Sequence, residues 1–322
     1  MEYIALFILF IAIELVYFKI ADKYNIIDKP NSRSSHTSIT LRGGGILFPV
    51  AVLAAFFLGY ISGLFTVAIV LVALVSFVDD IYPLPTLPRF SAQLIAICIL
   101  FYELHLFSQP LWVLPIVFVL LIGWINAFNF MDGINGITVL YALVNIVTFA
   151  YLYQEQNVFQ LLVIVGISGV AFGFFNVRKK AKTFAGDVGS ISMALFLGYF
   201  MIKTIIEKQQ IGYLTFFSIY GIDAVVTILY RLKNKENILE PHRSHLYQYL
   251  ANELKWTHIQ VATVYAVLQL AINCGAIMLI NKGYMSLLTF VIIGSLLTGI
   301  YWTIRLKVIK IMKLKTPTVN PA

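Results

Sequence analysis

Apolar residues run along this chain in long blocks, with polar residues gathered in the short intervals between them. The blocks 3–20, 64–78 and 159–175 are typical. Each approaches the roughly 20 residues an α-helix needs to cross a bilayer. The pattern predicts helices at about 2–20, 44–61, 63–78, 90–107, 110–126, 136–152, 158–175, 187–203, 211–230, 258–280 and 284–304. The expected fold is therefore all-α, a polytopic integral membrane protein of about eleven transmembrane helices forming one domain over 1–322. The longest polar interval, 231–257, is a loop within that domain. It holds a short amphipathic segment at 246–254, and Thr257 with Gln260 makes a capping box for the following helix.

Composition agrees with the pattern: 60% of the 322 residues are apolar and 12% charged, about half the charged share of a soluble chain. The first apolar run has no positive flank before it and no small-residue cleavage site after it, so a permanent helix is expected there rather than a signal peptide. Cys98 and Cys274 fall inside apolar runs, which points to neither a disulfide framework nor a zinc site. A net charge of +8 would suit nucleic acid only on a basic soluble domain, and none is present. Topology accounts for it better. With eleven helices, twenty of the 23 Lys and Arg fall on one side and only Lys203, Lys208 and Lys282 on the other. The basic side is expected to be cytoplasmic, with the N-terminus outside and the C-terminus inside. Asp79-Asp80, the 126–135 stretch, Asp187 and the 242–245 stretch then all reach the cytoplasmic side.

Those polar stretches are the candidate chemistry. The segment 126–137 reads Asn-Ala-Phe-Asn-Phe-Met-Asp-Gly-Ile-Asn-Gly-Ile. Asn126, Asn129, Asp132 and Asn135 recur every three residues, a spacing expected to align them in a tight turn or on one side of a helix. Asp132-Gly133 and Asn135-Gly136 are turn pairs, so the next helix should begin with free N–H groups suited to a phosphate. A plain polar turn is the competing reading. Asp79-Asp80 closes the third run, where two carboxylates oppose the helix dipole and each other. Mg²⁺ or a basic side chain such as Arg89 would compensate, unless the pair is a solvated helix end. Asp187 lies between Gly186 and Gly189 at a helix start, as a ligand of Mg²⁺ or as an N-cap. In the first loop, His36 precedes Arg42-Gly43-Gly44-Gly45. These glycines either bring backbone N–H groups to a phosphate or relieve crowding. His242-Arg243-Ser244-His245 could hold a phosphate or base, or only lipid headgroups. Asp223 is an intramembrane acid, functional or structurally paired.

In this order, the motifs resemble the polyprenyl-phosphate N-acetylhexosamine-1-phosphate transferases, bacterial membrane enzymes that begin O-antigen, teichoic-acid and peptidoglycan lipid intermediates. The likeness rests on the Gly-rich first loop, Asp79-Asp80, Asn126-x-x-Asn129-x-x-Asp132-Gly133, Phe184-x-Gly186-Asp187-x-Gly189-Ser190 and His242-Arg243-x-His245, over about two-thirds of the chain. There are three departures. Asn135 stands where many members carry Asp. Tyr247 and Gln248 replace further histidines, an ending more like the O-antigen branch than the muramoyl-pentapeptide branch. Arg178-Lys179-Lys180 replaces prolines, with a one-residue insertion.

The resemblance implies a UDP-N-acetylhexosamine donor, a polyprenyl (undecaprenyl) phosphate acceptor and release of UMP at the bacterial cytoplasmic membrane. It further implies Mg²⁺, with Mn²⁺ as an alternative. It assigns Asp187 and Asp79 to the metal and Asp79, Asp80 and Asp132 to catalysis. Asn126, Asn129, Asn135, Arg89, Gly186, His242, Arg243 and His245 fall to the substrates. The lipid bilayer is a partner, a homodimer is the oligomer to consider, and nucleic acid is not expected. The rival reading is a transporter or flippase with a buried polar site, against which stands the lack of an inverted repeat.

Overall fold

The computed structural model of the protein describes residues 2–30, 34–237 and 243–315. Within them every predicted segment is helical: α1 (Glu2–Lys23), α2 (Leu47–Phe57), α3 (Gly63–Ile81), α4 (Thr86–Glu103), α5 (Val113–Met131), α6 (Ile137–Leu152), α7 (Gln156–Asn176), α8 (Gly186–Lys208), α9 (Ser218–Lys233), α11 (His258–Asn281) and α12 (Leu287–Lys315). A single turn, α10 (Leu246–Gln248), lies in the long loop. Two short strands, β1 (Ile27–Asp28) and β2 (Thr40–Leu41), form an antiparallel ribbon with Ile27 opposite Leu41.

Among the described residues eight helices are long and apolar enough to cross a membrane, where the pattern predicts eleven. The segments Gly44–Phe57 and Ile137–Leu152 are shorter, and α4 opens on the polar Arg89 and Gln93. α4 also begins earlier than the hydropathy implies. Pro88 stands in its first turn, where a missing N–H breaks no helical bond. A polytopic helical membrane protein follows in any case, because in lipid only intrahelical bonding satisfies the backbone of such runs.

α8 is the axis of the bundle, with 83% of its most apolar window buried, and it packs on α2, α3, α5 and α6. Small residues along it let neighbouring helices approach closely. A Cβ at Gly198 would stand 2.8 Å from Leu121. Trp124 of α5 donates from Nε1 to Ala194 O at 2.9 Å and stacks on Phe217 at 3.6 Å. Polar side chains join α6 to α11 across the interior. Tyr141 donates to Gln269 Oε1 at 2.8 Å, and Asn273 Nδ2 donates to Thr148 Oγ1 at 2.9 Å. α12 lies outermost, packed on α9, with none of its apolar window buried.

The charge asymmetry makes a direct prediction about sidedness. With Cys98 and Cys274 removed, a single cysteine at exposed Gln156 should react with an impermeant thiol reagent on intact cells, and one at exposed Lys233 should not. Reaction at 233 from outside would invert the topology.

Candidate active site

Asp79 and Asp80 sit at the C-terminal end of α3, both buried, in a place where the helix's own dipole disfavours them. The structure shows how each is held. Asp80 Oδ1 accepts the backbone N–H of Asp187 at 2.8 Å, and Oδ2 that of Val188 at 3.0 Å. One helix's unfavourable end thus caps the favourable end of another, α8. Arg42 Nε adds a bond to Asp80 Oδ1 at 2.6 Å. Asp79 Oδ1 accepts Leu84 N–H at 2.6 Å, and Arg89 Nε stands 3.3 Å from its Oδ2. Asp187 lies between the two guanidinium groups: Arg42 Nη2 donates to Oδ1 at 3.2 Å and Arg89 Nη2 to Oδ2 at 3.4 Å. Two arginines and three carboxylates, drawn from the first loop, α3, α4 and α8, form one network.

The glycines serve packing here rather than anion contact. Gly44 and Gly45 donate their N–H groups to Phe184 O and Ala185 O at 2.9 and 3.0 Å. Their backbone presses on α8 closely enough that a Cβ at Gly189 would stand 2.6 Å from Gly45 Cα. Gly186 adopts φ +70°, a left-handed conformation that suits glycine, so that Asp187 can turn inward behind it.

The turn after α5 departs from the expected alignment. α5 continues to Met131, and in an α-helix three residues advance about 300°, so each step slips by roughly 60°. Asn126 is therefore rotated to the exposed side, where Nδ2 bonds Ile122 O in its own helix at 2.7 Å. Asn129 faces inward, and its Oδ1 accepts Ser190 Oγ at 2.6 Å. Asp132, just past the helix, accepts from the Thr138 hydroxyl. The start of α6 is not open for a phosphate at its first amides, because Gly136 N–H bonds Asn176 Oδ1 at 2.8 Å and Asn135 N–H meets His258 Nδ1 at 3.4 Å.

Asn135 is buried. Its Nδ2 donates to Arg178 O at 2.8 Å and Lys179 O at 3.4 Å, while Oδ1 has no partner. The amide is thus required by two carbonyls. Asn135→Asp should lose both bonds and press a charge on the same oxygens, lowering stability by about 1–3 kcal/mol. If turnover requires Mg²⁺, the concentration for half-maximal rate should not fall in this variant; a thermal melt beside a Mg²⁺ titration checks both.

A cleft of about 310 Å³ opens beside the network, lined by Asp187, Gly186, Arg42, Asn129, Asp132, Asn135, Phe184 and, less expectedly, Asp28, His36, Asn176, Gln248 and His258. His36 lies 4.8 Å from the Phe184 ring. Asp79 and Asp80 lie behind the wall, their oxygens already engaged. Among the described residues no three acidic, His or Cys side chains converge to cage a metal. Mg²⁺ needs only one or two carboxylates when phosphates and water complete its shell, and Asp187 with Asp132 fits that demand; Asp79, bonded to Leu84 and Arg89, fits it less well. Burial pushes the Asp132 carboxyl up to about 6, against the opposing Thr138 bond. Asp132 is then neutral below that value and charged above it. If its charge is needed, kcat/KM should rise with pH through about 6 and Asp132→Asn should abolish that limb. A pH profile unchanged by the substitution would remove Asp132 from the chemistry.

His242 lies outside the described residues. Arg243 Nη2 donates to Glu253 Oε1 at 3.4 Å. His245 does not line the cleft. It is buried, with Nδ1 2.8 Å from Asp223 Oδ1, and Tyr265 donates to Asp223 Oδ2 at 2.6 Å. Buried Arg305 closes the cluster through Thr227 Oγ1 at 3.0 Å and Ser244 O at 2.8 Å. The anchored segment carries Tyr247, which donates to Phe130 O at 2.9 Å and packs where only Gly133 leaves room.

The structure is thus a helical membrane bundle with a carboxylate-and-arginine cleft at its polar end. Residues 62–205 match the model of glycosyl transferase family 4. The chain is 29% identical over 264 residues, 72% of its length and 71% of the relative's, to a protein of Bacillus subtilis (strain 168) named as a probable undecaprenyl-phosphate N-acetylglucosaminyl 1-phosphate transferase. It is 32% identical over 181 residues, 47% of its length and 55% of the relative's, to the phospho-N-acetylmuramoyl-pentapeptide-transferase of Streptococcus sanguinis (strain SK36). The chain is thus similar, over these stretches, to membrane transferases named for undecaprenyl phosphate and phospho-N-acetylmuramoyl-pentapeptide.

Proposed function

We propose that the protein transfers an N-acetylhexosamine 1-phosphate from a UDP-sugar to polyprenyl phosphate at the cytoplasmic face of the bacterial cytoplasmic membrane, releasing UMP and starting a cell-envelope glycan. The observation that carries this is the convergence of Asp187, Asp132, Asn129 and Arg42 on one cleft. In the reaction a phosphate oxygen of the lipid attacks the sugar-bearing phosphorus, and the bond from that phosphorus to UMP breaks. Both partners are anions, so cancelling their repulsion is the main catalytic task. Arg42 and Arg89 bring two permanent charges beside Asp187, and a guanidinium can grip a phosphate through two N–H groups. Asp187 and Asp132 would hold Mg²⁺ or Mn²⁺, which would supply further charge to the diphosphate. Asp79 and Asp80 act behind them by orienting the arginines and the start of α8.

Donor choice is read from the wall. Gln248 lines the cleft and Tyr247 fills the space under Gly133, in the positions where the sequence departs toward the O-antigen-type branch. Both features support an N-acetylhexosamine donor without a muramoyl peptide. Purified protein, radiolabelled polyprenyl phosphate and a panel of UDP-sugars, including the muramoyl pentapeptide, test this. A lipid-linked product with a simple UDP-N-acetylhexosamine is expected. Product only with the muramoyl donor would overturn the donor assignment, and none with any donor the reaction itself.

A further inference from the structure

A second concavity, of about 560 Å³, lies at the end of α1 and shares no lining residue with the cleft. Lys19 and Asp22 of α1 form one side, Lys180 and Lys182 the other, and Ile39 and Leu41 line the same groove. All three lysines are exposed, and among the described residues none of their ammonium groups has an acidic partner within ion-pair distance. Three cations face one carboxylate. The groove sits where α1 and α7, two helices long and apolar enough to span a membrane, come to their ends, and an apolar side chain stands beside the charges: Ile39 is 63% exposed. Unpaired lysines next to exposed aliphatic groups at helix ends match a phosphate headgroup with acyl chains beneath it.

The groove and the cleft are built from the same backbone. Ile27 lines one and Asp28 the other; Leu41 lines one and Arg42 the other; Lys182 precedes Phe184 by two residues. Hydrogen bonds tie these strands together: Phe184 N–H to Leu41 O at 2.8 Å, Arg42 N–H to Ile26 O at 3.1 Å, and Lys182 N–H to Phe175 O at 3.0 Å. We infer that this groove binds the headgroup of an anionic glycerophospholipid, and that its occupation braces the segments carrying Arg42 and Asp187 and so raises turnover. The second part rests on the proposed reaction; the binding does not.

The test uses the full chain in nanodiscs of phosphatidylcholine, with or without phosphatidylglycerol, and the variant K19Q/K180Q/K182Q. Phosphatidylglycerol should raise the wild-type Tm and at least double kcat at saturating substrates, and added salt should weaken both effects. The triple variant should match wild type in pure phosphatidylcholine and lose the response. The half-saturating phosphatidylglycerol fraction should shift roughly ten- to hundred-fold, as neutralising three interfacial lysines implies. A Tm response that persists in the variant, or no Tm difference between lipids for wild type, overturns the site. A variant with raised KM for polyprenyl phosphate in pure phosphatidylcholine also overturns it, and gives the groove to the acceptor. An inactive wild type with the Tm response intact instead counts against the proposed reaction and leaves the lipid site standing.

Discussion

Asp187→Asn should lower kcat by about a thousand-fold or more, on the order of 4 kcal/mol of transition-state stabilisation, while the Tm stays near wild type. The Asp187 side chain accepts bonds from Arg42 and Arg89, and in the asparagine variant the guanidinium left facing the N–H₂ group can turn to solvent, since both arginines are part-exposed. The variant's loss is one of charge at the point where the proposed reaction would hold the diphosphate. The adjacent network separates this effect from a folding effect. Asp80 receives two backbone N–H groups from the start of α8, so Asp80→Asn sets an N–H₂ group against a donor. That variant should lose activity together with stability, on the order of 3 kcal/mol. Thermal melts beside steady-state kinetics at saturating Mg²⁺ decide the matter. Near-normal turnover for Asp187→Asn would remove it from the chemistry.

Asp223→Asn and His245→Ala should each destabilise the protein by about 1–3 kcal/mol, as leaving a buried polar group without its hydrogen-bond partner does. The double variant should lose little beyond the larger single effect, because both substitutions dismantle one interaction. Donor KM of the folded fraction should stay within a few-fold of wild type. The expectation follows from burial: His245 Nδ1 lies against Asp223, and Arg305 ties Ser244 to Thr227. A ligand of the diphosphate would behave in the opposite way, with KM rising steeply at unchanged Tm, and that result would return His245 to the substrate.

The helices were legible because lipid leaves a chain few choices. A run such as 159–175 must bond within itself, and α7 covers it. Span number was less legible, since α2, α4 and α6 owe their helicity to neighbours as much as to length. Within the site, Asp79-Asp80 and Asp187 stood out as charges in apolar surroundings, and they do share a network. Asn126 departs from the alignment its spacing predicts because α5 extends five residues past 126, which rotates that side chain outward. His258 and Asn176 gave little signal: one begins a helix and the other ends one, and only folding brings them to the Asn135–Gly136 turn. Arg42 was visible as one more charge on the basic side. Nothing local says that it crosses to Asp80, 38 positions away.

The two arginines that neutralise Asp79, Asp80 and Asp187 are resident counter-ions. In the proposed reaction an incoming diphosphate would compete with the carboxylates for the same guanidinium groups, so donor binding would be an exchange of anions. Every N–H transferred to phosphate would free a carboxylate oxygen, and freed oxygens are what a divalent cation needs. Donor and metal would then assist one another, and by thermodynamic reciprocity each would tighten the other by the same factor. The resting protein avoids holding three bare acids, and its affinity for a cation would stay in reserve until that substrate arrived.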